Sequence, residues 1–459
     1  MQPPTHPPPT SLPWKDRPLT ELRRISWPIA VSTLSYSVMT LVDTILVGHV
    51  GRAPLAGVGL AGVASFLLLS FSIGMFRAAN TLVAQAVGAN RADEGDATTG
   101  AVLAAALGLG LLTVGAGQIV AELLRHFAAT PASGDAARTY MQIRSLGAPL
   151  ALLFAGLREV CYGRGESHAP MRASILANLV NIALAYLFVF VLDRGVAGAA
   201  AATVIAHGAE LAFLAFAQRA RGFGLRAWRV RHLLALGRIG LPLGVQFTLE
   251  FGSFALLSFL ISHLSEIEMA AHQIALQIIH FSFMPAFAVG EGAAVLAGQA
   301  VGADRDDLVG RIALLATKAT TVYTGGCTLL LIVGARILTS GFTEDETVVR
   351  STVALLHVAA AFLIIDGSNS VARGVLRGAG DVRYPAVVGV VASWVCTPPL
   401  CWLLGYRLGL GARGGWLGLC LEVFVSSSLM WWRLKSRGWA PAAALARGRL
   451  ATSSDRAIA

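Results

Sequence analysis

Residues 85–89 read Gln85-Ala86-Val87-Gly88-Ala89, and residues 299–303 repeat them as Gln299-Ala300-Val301-Gly302-Ala303. The offset (299 − 85 = 214) also carries Arg24-Ile25-Ser26-Trp27-Pro28 onto Arg238-Ile239-Gly240-Leu241-Pro242. A third match, Gly163-Arg164-Gly165-Glu166 with Pro170 against Gly378-Ala379-Gly380-Asp381 with Pro385, runs at 378 − 163 = 215, a single insertion away. Units this long and this few are not a solenoid, whose repeats run roughly 20–50 residues. Parallel repeats about an axis along the membrane normal are a transporter design.

Composition places those repeats in a bilayer. The chain is 55% hydrophobic and 14% charged, with a mean hydropathy of +0.65; soluble domains carry about a quarter charged residues. A water-soluble enzyme is excluded. The 49 glycines allow helices to approach closely in lipid. Cys161, Cys327, Cys396, Cys401 and Cys420 show no metal-ligand spacing and read as small core residues.

Nearly charge-free runs, each near the ~20 residues that a ~30 Å hydrocarbon core requires, fall at 26–50, 55–86, 98–121, 140–157, 172–192, 195–217, 239–262, 269–302, 313–335, 351–372, 385–405 and 414–432. Twelve spans, six per half, leave both halves in the same orientation, as a parallel repeat demands. The expected organisation is a disordered cytoplasmic tail (1–23), an N-lobe (24–218), a cytoplasmic linker (219–238), a C-lobe (239–435) and a basic cytoplasmic tail (436–459). The Pro-rich first residues lack a signal-peptide apolar region. With the N-terminus inside, the inner segments collect Lys15, Arg17, Arg23, Arg24, the Arg219–Arg238 run and Arg433–Arg456, so both termini are expected in the cytoplasm. The net charge of +10 then faces anionic membrane lipids rather than nucleic acid.

Acids within spans cost at least ~2.5 kcal/mol each to insert and are functional candidates by default. Glu250 and Asp366 lie at similar depth in the C-lobe, Asp366 seven residues before Arg373 and eleven before Arg377. Such a carboxylate pair can share a proton, bind Na⁺ or attract a cation; the bland alternative is two separately bonded acids that fix helix packing. Asp43, nearer the outer end of the first span, is open to solvation there. His207, Glu210 and Glu422 are weaker candidates. Arg77 and Glu291 occupy equivalent repeat positions (291 − 77 = 214) with opposite charge. An ion pair between them would latch the lobes together, and reversing both charges should restore transport lost by either single reversal.

These residues resemble the multidrug and toxic compound extrusion (MATE) transporters over about 20–435. The resemblance is carried by Val42-Asp43-Thr44-Ile45-Leu46-Val47-Gly48, Gly88-Ala89-Asn90, Ala271-His272-Gln273-Ile274, Gly298-Gln299-Ala300-Val301-Gly302-Ala303, and Asp366 followed by Leu376-Arg377-Gly378-Ala379-Gly380-Asp381. It implies an all-α membrane protein of twelve helices in two six-helix lobes around a V-shaped cavity, exporting cationic amphipathic compounds for Na⁺ or H⁺. It implies an N-lobe ion site at Asp43, Asn181 and Thr203, with Ala185 where some members carry a second acid. It also implies a C-lobe site at Glu250 and Asp366, with Phe362 in place of a Tyr, a loss of one oxygen that suits H⁺ somewhat better than Na⁺.

Tyr36, Phe247, Phe251, Phe283, Phe287 and Phe362 are candidate cavity aromatics for cation–π contacts. The expected protein is a monomer in a bacterial inner membrane with no cofactor beyond the transported ion. An alternative within transport is a flippase for lipids or lipid-linked precursors from a related superfamily, which requires a basic cavity; apart from Arg77 the mid-span charges read as acidic. A membrane enzyme would need a catalytic constellation, and no HExxH, GxSxG or nucleotide fingerprint occurs.

Overall fold

In hydrocarbon every backbone N–H and C=O must be bonded within its own segment, so long apolar runs become helices. The structure, a computed structural model, describes residues 12–458. Among them the regular elements are all helical: α1 (Pro18–Gly48), α2 (Arg52–Gly88), α3 (Ala92–Phe127), α4 (Pro131–Leu146), α5 (Ala148–Gly163), α6 (His168–Tyr186), α7 (Gly195–Gln218), α8 (Val230–Ser262), α9 (Glu266–Gly302), α10 (Asp307–Ser340), α11 (Glu346–Gly378), α12 (Arg383–Leu400), α13 (Ala412–Lys435) and α14 (Ala440–Ile458). Eleven are long and apolar enough to cross a membrane, and α4 with α5 makes a twelfth span bent by 50°.

That bend corrects the expected fourth span, 140–157, which straddles two helices. Pro149, at the start of α5, has no N–H to continue the α4 ladder, so the chain turns at Gly147. The duplication is visible in the irregularities as well as in the helices. Pro28 lies inside α1 and Pro242 inside α8. α6 and α12 both widen into π-type turns, Leu187–Val191 and Cys401–Arg407.

The lobes are joined by crossed packing. α2 of the N-lobe lies along α8, and α1 along α9 of the C-lobe. Small residues make the contacts: a Cβ on Gly74 would stand 2.8 Å from the Leu243 carbonyl oxygen, and one on Gly292 2.4 Å from Ser26 Oγ. At the end of the bundle that carries both termini, the repeated pentapeptides meet each other. A Cβ on Gly88 would lie 2.0 Å from the Gln299 carbonyl oxygen, and one on Gly302 2.0 Å from that of Gln85.

Three expected segments are corrected here. The first tail is ordered from residue 12: Trp14 is buried and donates to Gln299 Oε1 at 2.7 Å, and α1 begins at Pro18; residues 1–11 lie outside the described residues. The linker narrows because α8 starts at Val230, where Arg231 and His232 reach Glu94. The last tail forms α14; Trp439 just before it and Ala443, Ala446 and Leu450 within it, spaced four, three and four residues apart, are buried, the first three in the large core cluster of the C-lobe. α14 also spans the lobe junction. Arg447 pairs with Asp304 and Asp306 of the C-lobe, Arg449 donates to Gln85 at 2.8 Å, and Arg91 of the N-lobe donates to the Leu450 carbonyl at 3.1 Å.

Gly302→Ala is expected to lower the unfolding midpoint of the purified protein in detergent, by about 1–3 kcal/mol of overpacking. Gly310→Ala, where a Cβ meets nothing within 4 Å, is the control. Equal midpoints for the two variants would mean that the α2–α9 crossing is loose.

Candidate functional site

Between the lobes, next to the pentapeptide contact, lies a cavity of about 170 Å³ walled by α2, α8, α9 and α11. It is smaller than the ~300–1,000 Å³ that ordinary ligands occupy, so this arrangement of the lobes is too closed to hold a drug-sized molecule there. Glu250 of α8 and Asp366 of α11 both line it, as does Arg373, one helical face along from Asp366. Arg373 donates through both terminal nitrogens to the two oxygens of Glu250, and Gln246 Nε2 donates to Glu250 Oε1 at 3.0 Å. The expected pair of carboxylates is therefore a Glu–Arg–Asp arrangement in which the guanidinium already neutralises Glu250. Glu422 of α13 accepts from Thr397 and adds its negative charge to the field at Arg373.

A glycine makes room for that ion pair. A Cβ on Gly389 of α12 would stand 2.0 Å from Arg373 Nη2 and 2.2 Å from Glu250 Oε1. Gly389, Arg373 and Gln246 were not among the sequence candidates. Arg373 and Arg377 served there only as markers of the membrane edge, yet spacings of seven and eleven from Asp366 are those of one helix face.

The inter-lobe charges come together. Arg77 of α2 donates to Glu291 Oε1, and Arg377 of α11 donates to Glu291 Oε2 at 2.6 Å. Glu291 thus holds one arginine from each lobe. Around this knot Thr81 donates to the Arg377 carbonyl at 3.3 Å and Gln85 to that of Gly378 at 3.0 Å. The cavity wall carries three arginines (77, 373, 377) and two acids (250, 366), and a third acid, Glu291, is bound to two of those arginines. The reading of its charges as acidic apart from Arg77 is corrected, because both α11 arginines point inward.

In the N-lobe, Asp43, Asn181 and Thr203 meet where α1, α6 and α7 converge. Thr203 Oγ1 lies 3.1 Å from Asp43 Oδ2 and accepts from Asn181 Nδ2 at 3.3 Å. Asp43 is 7% exposed, so external solvation does not account for it. Its Oδ1 and the Asn181 Oδ1 are buried without a hydrogen-bond partner among the described residues. Two unpartnered oxygens facing a hydroxyl are a donor set for a proton or a small cation.

The aromatics divide. Phe247, Phe283 and Phe287 line the cavity, and Arg77 lies 5.3 Å from the centre of the Phe287 ring. Phe251 packs on Phe66 at 4.7 Å, and Tyr36 stacks on His207 at 6.1 Å in the N-lobe. Phe362 is not a cavity residue: it is buried in the C-lobe core 6.5 Å from Trp416, because the face of α11 one turn before Asp366 meets α13.

Gly389→Ala is expected to destabilise the fold by wedging Arg373 off Glu250. Added to a chain in which Arg373→Met and Glu250→Leu have already removed the pair, the same substitution should cost less, since replacing both partners of a buried ion pair is often neutral. Equal costs in the two backgrounds, measured by thermal unfolding in detergent, would show that the glycine does not serve the pair.

The MatE family profile matches residues 28–187 and 242–403, once in each lobe. A probable multidrug resistance protein NorM of Bradyrhizobium diazoefficiens is 30% identical over 429 residues, covering 89% of this chain and 91% of that protein. The probable NorM of Pseudomonas aeruginosa is 29% identical over 452 residues, covering 90% and 89%. Among solved structures, an outward-facing multidrug resistance MATE family transporter of the MOP superfamily aligns with a TM-score of 0.85 at 20% identity, covering 93% of this chain and 96% of that one. The eukaryotic MATE transporter AtDTX14 aligns at 0.83 and 20%, covering 94% and 99%.

Proposed function

The chain belongs to the MatE family of multi-pass membrane transporters, and from that premise we propose that it is a secondary antiporter of a bacterial inner membrane. It exports amphipathic cations in exchange for H⁺ or Na⁺ by alternating access and works as a monomer. Its relatives in Bradyrhizobium diazoefficiens and Pseudomonas aeruginosa are probable multidrug resistance proteins. The observation that carries the reading is the placement of Glu250 and Asp366 on the cavity between two lobes, one of them already held by an internal cation. An incoming cation or proton competes with Arg373 for the same carboxylates. Two ligands that need one charge disfavour each other, and that mutual disfavour is the coupling. Asp43, with its unpartnered oxygen, is the N-lobe candidate for the ion.

The Arg77–Glu291–Arg377 knot is the latch of the closed side. Alternating access needs a contact that forms in one state and parts in the other, and here the α2 arginine reaches across the junction to an acid that α11 also holds. The double charge reversal considered from sequence does not restore such a knot, because Arg377 would then face the new arginine at position 291.

The three inward arginines favour one second reading, a flippase for lipids or lipid-linked precursors of a related superfamily, whose anionic headgroup would need such donors. Transport assays separate the two. In proteoliposomes, a fluorescent organic cation is expected to move under an imposed pH or Na⁺ gradient and to be lost in Glu250→Gln and Asp366→Asn. Unchanged transport in both variants would place coupling at Asp43. No cation transport by the wild type under either gradient would sink the drug-antiporter reading and leave the flippase.

The knot has its own signature. Glu291→Gln leaves the buried Arg377 and the half-buried Arg77 guanidinium groups facing each other and should cost about 3–5 kcal/mol of stability, whereas Arg77→Gln leaves the neutral Glu291–Arg377 pair and should cost clearly less. Urea or thermal unfolding reads the difference; equal losses would mean that the Glu291–Arg377 pair contributes nothing once Arg77 is gone.

A further inference from the structure

The N-lobe contains more buried polar chemistry than the Asp43 cluster uses. Thr203, His207 and Glu210 follow one another on a single face of α7, four and three residues apart, and Ser174, Asn178 and Asn181 do the same on α6. α1 supplies Ser32, Ser35, Tyr36 and Asp43. Where these faces meet they form a continuous polar seam. Asp43, Thr203 and Asn181 occupy one end. At the other, His207 Nδ1 lies 3.3 Å from Glu210 Oε2, and Ser174 Oγ donates to Glu210 Oε1 at 2.8 Å while lying 2.9 Å from Ser32 Oγ.

His207 and Glu210 are each 1% exposed. Joining α6 to α7 does not require ionisable groups, since the Ser and Asn residues of the same seam do it without charge. A buried imidazole–carboxylate pair is costly unless it is neutral as a unit or balanced by its neighbours. The neighbours are mixed. Tyr36 on α1 stacks on the imidazole, Arg144 on α4 and Arg158 on α5 act on the pair electrostatically, and α6 presents only serine and amide groups. With imidazolium and carboxylate the pair is neutral. With neutral imidazole it carries one negative charge, which the two arginines tolerate. These two states differ by one proton. Since Nδ1 faces Glu210, that proton belongs to the other ring nitrogen, and His207 Nε2 is buried without a partner among the described residues.

We propose that His207 and Glu210 form a second proton-binding site in the N-lobe, one helical turn along α7 from Thr203, which loads and releases one proton at His207 Nε2. Glu210 holds the ring through Nδ1, and Tyr36 covers one face of the imidazole. The site takes a proton: its unpartnered atom is a ring nitrogen, whereas hard cations such as Na⁺ prefer oxygen. Its use in exchange rests on the antiport reading, but its existence does not.

The test is nitrogen-15 NMR of histidine-labelled full-length protein in lipid nanodiscs, titrated without any substrate. One imidazole, identified by its absence in His207→Asn, is expected to switch between imidazolium and the Nδ1–H tautomer in the wild type. Over the same pH range Glu210→Gln should abolish the imidazolium form of that residue, Glu210→Asp should retain it, and Asp43→Asn should leave it in place. A His207 signal that stays one neutral tautomer throughout, or an imidazolium that survives Glu210→Gln, would overturn the proposal. If Glu210→Gln fails to fold, the wild-type titration and Glu210→Asp still decide it. Absence of gradient-driven transport in the wild type would count against the antiporter and leave the titration standing.

Discussion

The junction of the lobes rests on a close approach of two backbones at the crossing of α2 and α9, where Gly88 lies on the Gln299 carbonyl and Gly302 on that of Gln85. Without a hydrophobic drive between helices in lipid, such contacts depend on side chains small enough to be absent. The remaining contacts at that end follow from the crossing. Gln85 and Gln299, brought side by side with the other lobe, accept from Arg449 and Trp14, so both terminal segments are fastened to the same place. Three turns further into the bundle on α2 and α9, Arg77 and Glu291 meet because symmetry puts equivalent positions opposite each other near the axis.

The duplication explains the scaffold and fails to explain the chemistry. Position 36 corresponds to 250 (36 + 214) and holds Tyr against Glu; 158 corresponds to 373 (158 + 215) and holds Arg in both; 174 corresponds to 389 (174 + 215) and holds Ser against Gly. In the C-lobe the arginine reaches the acid through the space that Gly389 leaves. In the N-lobe the matching serine bonds to Glu210, and Arg158 turns to Glu159 and the Tyr162 ring. Asp43 has Leu257 as its counterpart (43 + 214), which sits in the C-lobe core. Each lobe therefore carries a polar site where the other is packed or differently paired, and the two sites are chemically independent.

Most of the architecture was legible because its signals are periodic and strong: apolar length gave the spans, and the pentapeptide gave the duplication. The meeting of Asp43, Asn181 and Thr203, three residues from three helices, followed from a resemblance, and no spacing within the chain would have joined them. What escaped was set by side-chain direction. Arg373 and Arg377 look like membrane-edge cations in one dimension and point into a cavity in three. Phe362 lies one turn from Asp366 yet faces the core. The last twenty residues read as a charged tail because arginines dominate the count, while a four-residue apolar stripe decided where they pack.

That stripe changes what the basic end of the chain does. A free cationic tail would lie on an anionic lipid surface and respond to its charge. α14 instead spends Arg447 on the Asp304 and Asp306 carboxylates of one lobe and Arg449 on Gln85 of the other, beside the Arg91 contact to its own backbone. Those partners lie on opposite sides of the α2–α9 crossing, so separation of the lobes at this end cannot leave all of them intact. The energy of the closed arrangement is consequently shared among the glycine crossing, the Glu291 knot and this helix. A transporter built this way opens that side only when a ligand's preference for the open state exceeds the sum of the three.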